Sequence, residues 1–391
     1  MNPWPPFVAL VAGLAVSQWA RTLPALAAEG LSHDLALSPA GLGLATGLYH
    51  AGFALGQVPC GVALDRYGTR LTALGLLVFA ALGLALSAAA PGALLFALAQ
   101  LLTGFGCSGG LMCNLRWAAH ALPAEKFGAA SGYVLGLGSI GLMASGTPSA
   151  WIIEAWGWRG AYAVAALLAA LTLLLAAWLV RPTPVSDRAR SLAADAAEVL
   201  RLAVSRRLAP CAVLAFVGYA AFIGTRGLWA GPWLTEQLGL SLLRAGDALL
   251  LVSVAMAAGP ALWGFLDGRV KSRIALLAGS HALGGLLLAA IALLGLGAAA
   301  DIGLLTGFML LTASHVLLFA VARARVDEAI LGKAMSAVNL AFFGGTAILQ
   351  PLSGLAAGAF GLAGALLMLG LGCIAGAAAF LLLLASEGRT R

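Results

Sequence analysis

The sequence predicts an all-α membrane protein in which twelve transmembrane helices form two bundles of six. The first observation behind this prediction is composition: of 391 residues, 62% are hydrophobic and only 9% are charged, with a mean hydropathy of +0.99. Soluble domains are about 45–50% apolar and about 25% charged. So few charged groups could not cover the surface of a soluble fold of this length. The composition therefore excludes a soluble enzyme or a soluble binding domain.

The second observation is the number of long apolar runs. A bilayer core of about 30 Å requires about 20 apolar residues for each helix that crosses it. We find twelve such runs, at 6–28, 41–63, 70–90, 92–115, 130–152, 160–180, 210–233, 246–266, 274–297, 302–322, 334–357 and 361–385. We expect the first run to be retained as a helix and not cleaved as a signal peptide, because no basic residue precedes it.

One long connection divides these runs into six and six. We predict an N-terminal bundle at 1–180, a cytoplasmic central loop at 181–209 and a C-terminal bundle at 210–391. The loop carries six arginines, and its stretch from Ser191 to Arg207 has the Ala, Leu and Arg content of an amphipathic helix on a membrane surface.

The third observation is the distribution of basic residues. With the N-terminus placed inside, the cytoplasmic connections hold 18 of the 22 lysines and arginines, and the opposite side holds only Arg159 and Arg244. Positive residues concentrate on the cytoplasmic side of membrane proteins. Both termini are therefore predicted to be cytoplasmic, most simply in the inner membrane of a bacterium. Because the net charge of +7 is spread over these short connections, it does not indicate a nucleic-acid partner.

Two connections repeat each other along the chain. The stretch from Gly61 to Arg70 is GVALDRYGTR, and the stretch from Gly264 to Arg273 is GFLDGRVKSR. Each follows a proline, and the aspartates Asp65 and Asp267 are 202 residues apart. The two bundles are therefore predicted to be repeats with the same topology.

The first repeat resembles motif A of the major facilitator superfamily, G-x-L-A-D-R-x-G-R-K, and the second resembles its degraded copy. Together with twelve spans and a basic central loop, this resemblance covers the whole chain. It implies a secondary transporter with a central cavity between two bundles that rock against each other. It also implies a cytoplasmic charge cluster that latches the bundles. We assign this gate to Gly61, Asp65, Arg66, Gly68, Arg70, Asp267 and Arg273.

Other motifs argue against an enzyme or a cofactor. Two stretches, 104–109 and 136–141, spell G-x-G-x-x-G, but both lie inside predicted spans, where small residues allow close packing. The five cysteines show no metal-binding or disulfide spacing, and no nucleophile–base set is evident. We expect no cofactor and no metal. Gln100 stands where motif B of the family has an arginine associated with proton transfer, which argues against that route of proton coupling.

Only two arginines, Arg21 and Arg226, fall inside predicted spans. A charged side chain there costs about 2.5–3.5 kcal/mol on insertion scales. The two lie 205 residues apart, close to the repeat offset, so they occupy equivalent places in spans 1 and 7. By resemblance, spans 1, 4, 7 and 10 line the central cavity. Paired guanidiniums there match the oxygens of a carboxylate or phosphate, as in the organic-anion and organophosphate branches of the superfamily. The alternative is structural: snorkelling to the outer headgroups, or pairing with Glu29, Glu154, Glu236 or Asp247.

The remaining candidates for substrate contact are polar or aromatic residues in the predicted spans. They are Tyr49, His50, Asn114, Tyr219, Trp229, His315 and Asn339. None of the 15 carboxylates falls in the middle of a predicted span, which argues against a cationic substrate. We therefore expect a monomeric carrier of a small organic anion, coupled to a proton, to another ion or to exchange. The alternative function is an exporter of neutral or lipophilic compounds, with structural arginines.

Overall fold

The computed structural model describes residues 4–182 and 192–388, and the regular elements in these two ranges are all helical. The N-terminal half, residues 4–182, contains eight α-helices. They are α1 (Trp4–Thr22), α2 (Pro24–Asp34), α3 (Pro39–Ala89), α4 (Ala93–Cys107), α5 (Gly110–Ala121), α6 (Ala124–Gly138), α7 (Ile140–Ala144) and α8 (Thr147–Leu179). Helix α9 (Leu192–Ala203) follows in the connection and lies within the predicted amphipathic stretch.

The C-terminal half, residues 209–388, contains seven further α-helices. They are α10 (Ala209–Gly224), α11 (Ala230–Pro232), α12 (Leu242–Asp267), α13 (Arg273–Leu294), α14 (Ala298–Thr312), α15 (Leu318–Arg323) and α16 (Leu331–Gly388). Two π-helical stretches, Thr225–Trp229 and Trp233–Gln237, interrupt the helix that starts at α10. Short 3₁₀ turns at Ala313–Leu317 and Glu328–Ile330 flank α15.

Eight of the described helical segments are long and apolar enough to cross a bilayer. The pair α1 and α2 makes a ninth span, bent by 50° where Pro24 removes a backbone donor. In three segments the backbone leaves helical geometry at a glycine: Gly68 in α3, Gly157 in α8 and Gly361 in α16, with φ between 67° and 73°. A left-handed φ suits glycine, which has no Cβ to clash.

The two ends of the molecule are named here by the acidic residues near them. The Asp65 end includes the turn at Gly68, where Asp65 forms a salt bridge with Arg116, with the Arg116 Nη2 3.3 Å from the Asp65 Oδ1. The Asp34 end includes the turn at Gly157, where Arg159 donates to Asp34 at 3.0 Å. Both pairs join elements within the N-terminal half. They fix the connections of that half at its two ends.

At the Asp34 end the two halves approach until backbone meets backbone. A Cβ at Gly43 would lie 2.9 Å from the Cα of Gly354, and a Cβ at Gly146 would lie 2.8 Å from the backbone nitrogen of Leu250. A Cβ at Gly231 would overlap the carbonyl oxygen of Ala25. Small residues allow this approach between membrane helices. The Asp34 end is therefore sealed.

Toward the Asp65 end the packing between the halves changes. Helix α12 packs against α7 and α8, and Gly246 of α12 meets Thr147 and Ala150 at the start of α8. Helix α6, in contrast, packs against α1, α5 and α7 of its own half. Open space surrounds Gly132 and Gly136 of α6 and Gly264 of α12. Along this flank the halves therefore meet at the Asp34 end and diverge toward the Asp65 end.

Close packing inside the N-terminal half gives a first prediction. A Cβ at Gly104 of α4 would overlap the carbonyl oxygen of Tyr49 in α3. Overpacking of this kind costs about 1–3 kcal/mol. We expect Gly104→Ala to lower the melting temperature of the purified protein in detergent. The matched control is Gly75→Ala in α3, where nothing lies within 4 Å of the new methyl group. An equal melting temperature for both variants would contradict the packing described.

Candidate functional site

The candidate site lies where the two halves meet around Arg21, near the end of α1. The Arg21 Nη1 donates to the hydroxyl oxygen of Tyr219 in α10 at 3.1 Å, which joins the two halves. The ring of His315, in the 3₁₀ turn after α14, lies 5.2 Å from that of Tyr219, and the ring of His50 in α3 lies 5.2 Å from that of Tyr49. We name Arg21, Tyr49, His50, Tyr219 and His315 the central seam.

Arg21 is half-buried, and its Nε is buried with no hydrogen-bond partner. Within the part of the chain that the structure describes, its guanidinium forms no ion pair with Asp or Glu. A desolvated cation without a counter-charge is costly. The arrangement leaves Arg21 able to receive an anion.

Three other polar side chains of the central seam, Tyr49, His50 and His315, are anchored to backbone. The Tyr49 hydroxyl donates to the Ser17 carbonyl at 3.0 Å. The His315 Nδ1 donates to the Thr312 carbonyl at 2.8 Å, and the His50 Nδ1 donates to its own helix. These bonds fix the orientation of the rings around Arg21.

Aromatic rings close the seam between the halves. Phe53 of α3 stacks on Phe343 of α16, with ring centroids 3.9 Å apart and planes at 22°. The ring of Tyr219 lies 4.9 Å from that of Phe342, which is 5.3 Å from His315. Tyr219 also lies 5.3 Å from Phe343. The surroundings of the Arg21 charge are thus mostly aromatic.

Arg226 occupies a different place from Arg21. It is fully buried in the π-helical stretch Thr225–Trp229, where its Nε donates to Ser253 at 2.9 Å and its Nη2 donates to Ser145 at 2.8 Å. Ser145 belongs to the N-terminal half, so this bond crosses the interface near the sealed end. The Arg226 Nη1 is buried without a partner. Among the described residues the two arginines share no hydrogen-bonding partner, so they do not form one joint clamp in this conformation.

The alternative of pairing the arginines with carboxylates finds no ion pair among the described residues. Asp247 accepts from Thr147 at 2.7 Å across the sealed end, and Glu236 lies near Glu29. Asp301, in the first turn of α14, is fully buried and accepts from Trp233 at 2.9 Å. Each acidic group therefore has other surroundings than Arg21 or Arg226.

Three further candidate residues lie outside the central seam. The Asn339 amide donates to Gln57 across the halves at 2.6 Å. The Trp229 indole donates to Ser353 of its own half at 2.8 Å. Asn114 is fully buried and donates to the Leu10 carbonyl at 2.9 Å, which ties α5 to α1. Of these three side chains, only Asn339 bridges the two halves.

The residues assigned to the gate bond within their own halves. The Arg70 Nη2 donates to the Ala177 carbonyl at 2.8 Å, and the Arg273 Nη2 donates to Asp267 at 2.8 Å. Arg66 lies 5.5 Å from the ring centroid of Tyr67, and Gly61 lies beside Met112. With Asp65 on Arg116, these contacts leave the gate residues bonded locally rather than from half to half.

Sequence reasoning missed several residues of this interface. Phe53, Phe342 and Phe343 looked like ordinary apolar residues, and Ser145 and Ser253 looked like ordinary small ones. The one available signal of an aromatic interface was the adjacent pair Phe342 and Phe343 in α16, in a chain with only 8% aromatic residues. Nothing in the sequence pairs Ser145 with Arg226, since that bond depends on how the halves pack.

A separate cavity of about 370 Å³ lies at the Asp65 end of the N-terminal half. Its lining is largely aromatic, with one lysine, and consists of Trp4, Phe7, Trp117, Leu122, Lys126, Ala129, Ala130 and Tyr133. Among the described residues, no group of His, Cys, Asp and Glu could hold a metal ion.

The central seam is built from arginine, hydroxyl, imidazole and aromatic groups.

The bond between Gln57 and Asn339 gives a second prediction. A hydrogen bond contributes about 0.5–1.5 kcal/mol to the free energy of unfolding, and removing one partner leaves the other without a hydrogen bond. We expect Gln57→Leu and Asn339→Leu each to lower the free energy of unfolding. The double variant should lose less free energy of unfolding than the sum of the two single-variant losses. The difference, measured in a double-mutant cycle, should be about 0.5–1.5 kcal/mol. Additive losses would show that the two side chains do not meet across the halves.

Curated relatives of the chain are membrane transporters. A metabolite transport protein of Haemophilus influenzae is 25% identical over 253 residues, which cover 62% of each chain. An MFS-type transporter of Mycobacterium tuberculosis is 26% identical over 47% of this chain and 32% of its own. The match therefore spans less than two thirds of the length of either relative.

Solved structures resemble the whole fold. A D-xylose–proton symporter superposes with a TM-score of 0.77 over 97% of both chains, at 16% identity. A bacterial homolog of the human lysosomal transporter Spinster gives a TM-score of 0.76 over 98% of this chain and 96% of that chain, at 17% identity. At such identity, these neighbours show the fold alone.

The sequence profile of the Major Facilitator Superfamily matches residues 8–324, most of the chain. The multi-pass helical fold, the transporter relatives and this match agree with one another. They identify a membrane transporter and not an enzyme. The chain belongs to the Major Facilitator Superfamily.

Proposed function

We propose that this protein carries a small organic anion across the membrane by alternating access. The observation that carries the proposal is Arg21, a half-buried guanidinium at the interface of the halves. Its Nε is buried and unpartnered, and no Asp or Glu among the described residues pairs with it. An intramembrane charge is a functional candidate because its desolvation is costly. An anionic substrate supplies the missing counter-charge through charge-assisted hydrogen bonds.

Arg226 is proposed as the second anion ligand, acting in the other conformation. Its bond to Ser145 crosses the sealed Asp34 end, while its bond to Ser253 lies within its own half. When the Asp34 end opens, the Ser145 bond breaks and the guanidinium gains an unsatisfied donor. An anion entering from that side then meets Arg226 first and Arg21 next.

The lengths of three helical segments support twelve crossings. A straight α-helix of 51 residues, the length of α3, would be about 76 Å long, more than twice the thickness of a bilayer core. Three segments have 51 to 56 residues, namely Pro39–Ala89, Glu125–Leu179 and Leu331–Ser386. We infer that each crosses twice, turning at Gly68, Gly157 and Gly361, which raises nine spans to twelve. The bundles are then 1–180 and 210–391, joined by the loop 181–209.

We further propose that both termini and the Asp65 end are cytoplasmic, on the basis of the lysine and arginine distribution. With that orientation, the sealed Asp34 end faces outward, and the structure is an inward-facing or closing state. The gate residues Asp65, Arg70 and Asp267 then latch the halves only after rocking has closed the cytoplasmic side. A monomer in a bacterial inner membrane suffices for this cycle.

The proposed coupling ion is a proton, as in the name of the D-xylose–proton symporter with the same fold. His50 and His315 are titratable groups of the central seam, beside Tyr49 and Tyr219 respectively, and belong to different halves. Imidazole changes charge near neutral pH when solvated, which opening of the seam would permit.

The second candidate function is export of neutral lipophilic compounds, with the two arginines structural. The aromatic contact between Phe53 and Phe343 favours it, because these rings would accept an apolar solute without any charge. The two candidates differ in whether the ligand requires Arg21.

Ligand-induced stabilisation separates these functions and gives a third prediction. A ligand at about 100 times its Kd adds about 2.7 kcal/mol to the stability of the folded state. Among carboxylates, phosphate esters, inorganic anions, amino acids, sugars and lipophilic cations, we expect an organic anion to raise the melting temperature of the parent. Arg21→Gln should abolish that shift, and Arg226→Gln should weaken it.

The matched control is Arg201→Gln, because Arg201 is exposed on α9, away from the seam. It should respond to the anion as the parent does. Stabilisation by neutral compounds or cations alone, equal in the parent and in Arg21→Gln, would support the export candidate and refute the anion proposal.

The proposed topology gives a fourth prediction. Alkaline phosphatase is active only outside the bacterial cytoplasm. We expect a fusion after Lys271, between α12 and α13, to be inactive, and a fusion after Gly297, between α13 and α14, to be active. The reverse pattern would place the Asp65 end outside.

A further inference from the structure

We propose that the transported anion is an aromatic monocarboxylate, bound with its carboxylate on Arg21 and its ring between Phe53 and Phe343. This proposal rests on the proposed function, since it names the class of anion that the same site would carry. Four properties of the central seam and of the rings that close it lead to this proposal: one cationic group, no acidic group, few free hydrogen-bonding groups and an aromatic stack shared between the halves.

The seam offers a single positive group. Arg21 gives one bond to Tyr219 and keeps its Nε without a partner. Arg226 points to Ser145 and Ser253 instead, so the two guanidiniums do not act together in this state. A guanidinium fork matches the two oxygens of one carboxylate. The seam therefore accommodates one carboxylate at a time.

The seam offers no negative group to a ligand amine. Among the described residues, no Asp or Glu forms a hydrogen bond or an ion pair with Arg21, Tyr49, His50, Tyr219 or His315. Asp301 is occupied with Trp233, and Asp247 with Thr147. A bound ammonium group would have no counter-charge in this part of the described chain, and burying it unpaired is costly. Amino acids and other zwitterions are therefore disfavoured.

The seam also has few free hydrogen-bonding groups. The Tyr49 hydroxyl and the Nδ1 atoms of both histidines are bonded to backbone, and Gln57 is bonded to Asn339. The buried His50 Nε2 has no partner. A sugar or a polyol carries several hydroxyls that each need a partner when buried. The body of the ligand should therefore be apolar.

The aromatic stack indicates that the ligand carries an aromatic ring. Phe53 comes from the N-terminal half and Phe343 from the C-terminal half, so rocking must separate their faces. Aromatic pairs contribute about 0.5–1.5 kcal/mol beyond the burial of their area. An arene that enters between the two faces restores the ring stacking that opening removes, whereas an aliphatic body of the same size does not. The separated rings thus favour aromatic ligands specifically.

Binding of three matched probes to the purified full-length protein tests the proposal. The probes are benzoate, cyclohexanecarboxylate, which keeps the charge and size without the aromatic ring, and benzyl alcohol, which keeps the aromatic ring without the charge. We expect benzoate to bind about tenfold more tightly than cyclohexanecarboxylate, the factor that corresponds to the upper end of an aromatic pair contribution. Benzyl alcohol should bind weakly. Arg21→Gln should abolish binding of both carboxylates.

Variants of the stack show whether the preference arises there. Phe53→Leu and Phe343→Leu should each reduce the preference for benzoate severalfold, with cyclohexanecarboxylate binding unchanged, and Phe343→Tyr should retain it. The melting temperature of each variant without ligand reports whether it is folded. A folded leucine variant that loses the preference, beside a tyrosine variant that retains it, assigns the preference to the aromatic ring.

The failures of the two proposals are distinguishable. Equal affinity for benzoate and cyclohexanecarboxylate in the parent, both abolished in Arg21→Gln, overturns the aromatic inference and leaves anion transport standing. Tighter binding of phenylalanine than of benzoate overturns the exclusion of zwitterions. Binding of benzyl alcohol that persists in Arg21→Gln, without binding of either carboxylate, overturns the proposed function itself.

Discussion

Direct contact between backbones at the Asp34 end is the interaction on which the rest of this structure depends. Within a bilayer there is little hydrophobic drive between helices, so close packing of small residues has to hold them together. Gly43 against Gly354, Gly146 against Leu250 and Gly231 against Ala25 bring the halves into contact. That contact seals one end, places Ser145 within reach of Arg226 and brings Tyr219 to Arg21. The polar and aromatic contacts of the seam follow from this approach, and they would separate together if the halves rocked apart.

The seam itself combines two kinds of interaction that respond differently to opening. Stacked rings such as Phe53 on Phe343 expose an aromatic surface that a ligand could cover again. The hydrogen bonds of Arg21 and Arg226 to hydroxyl groups, in contrast, can be replaced by water or by an anion without a net loss of partners. The barrier to rocking therefore depends strongly on what occupies the seam. A carrier needs this dependence, because a protein that opened to both sides without a bound ligand would let solutes cross the membrane uncoupled.

The sequence was informative about the fold because the bilayer restricts it so strongly. A chain that must satisfy its backbone hydrogen bonds internally forms helices, so the apolar runs predicted a helical protein with many spans, and the repeat of Asp65 at Asp267 pointed to the family. Desolvation cost likewise singled out Arg21 and Arg226 from their positions in the sequence. The sequence could not show that the two would take different partners, because Tyr219 and Ser145 reach them only through packing of the halves. The role of Phe53 and Phe343 was hidden for the same reason, since an aromatic residue in a span looks alike in a core and at an interface.

The π-helical stretch around Arg226 has a mechanical consequence. A π turn holds one residue more than an α turn, and such bulges are frequent at functional sites. Each residue of an α-helix rotates the direction of the side chain by about 100°. If the bulge moved along the chain by one residue, it would swing Arg226 around the helix axis while the rest of the span stayed in place. A second π stretch begins after the three residues of α11, at Trp233. Such a local change in helical register would turn the guanidinium without the large motion of the two halves.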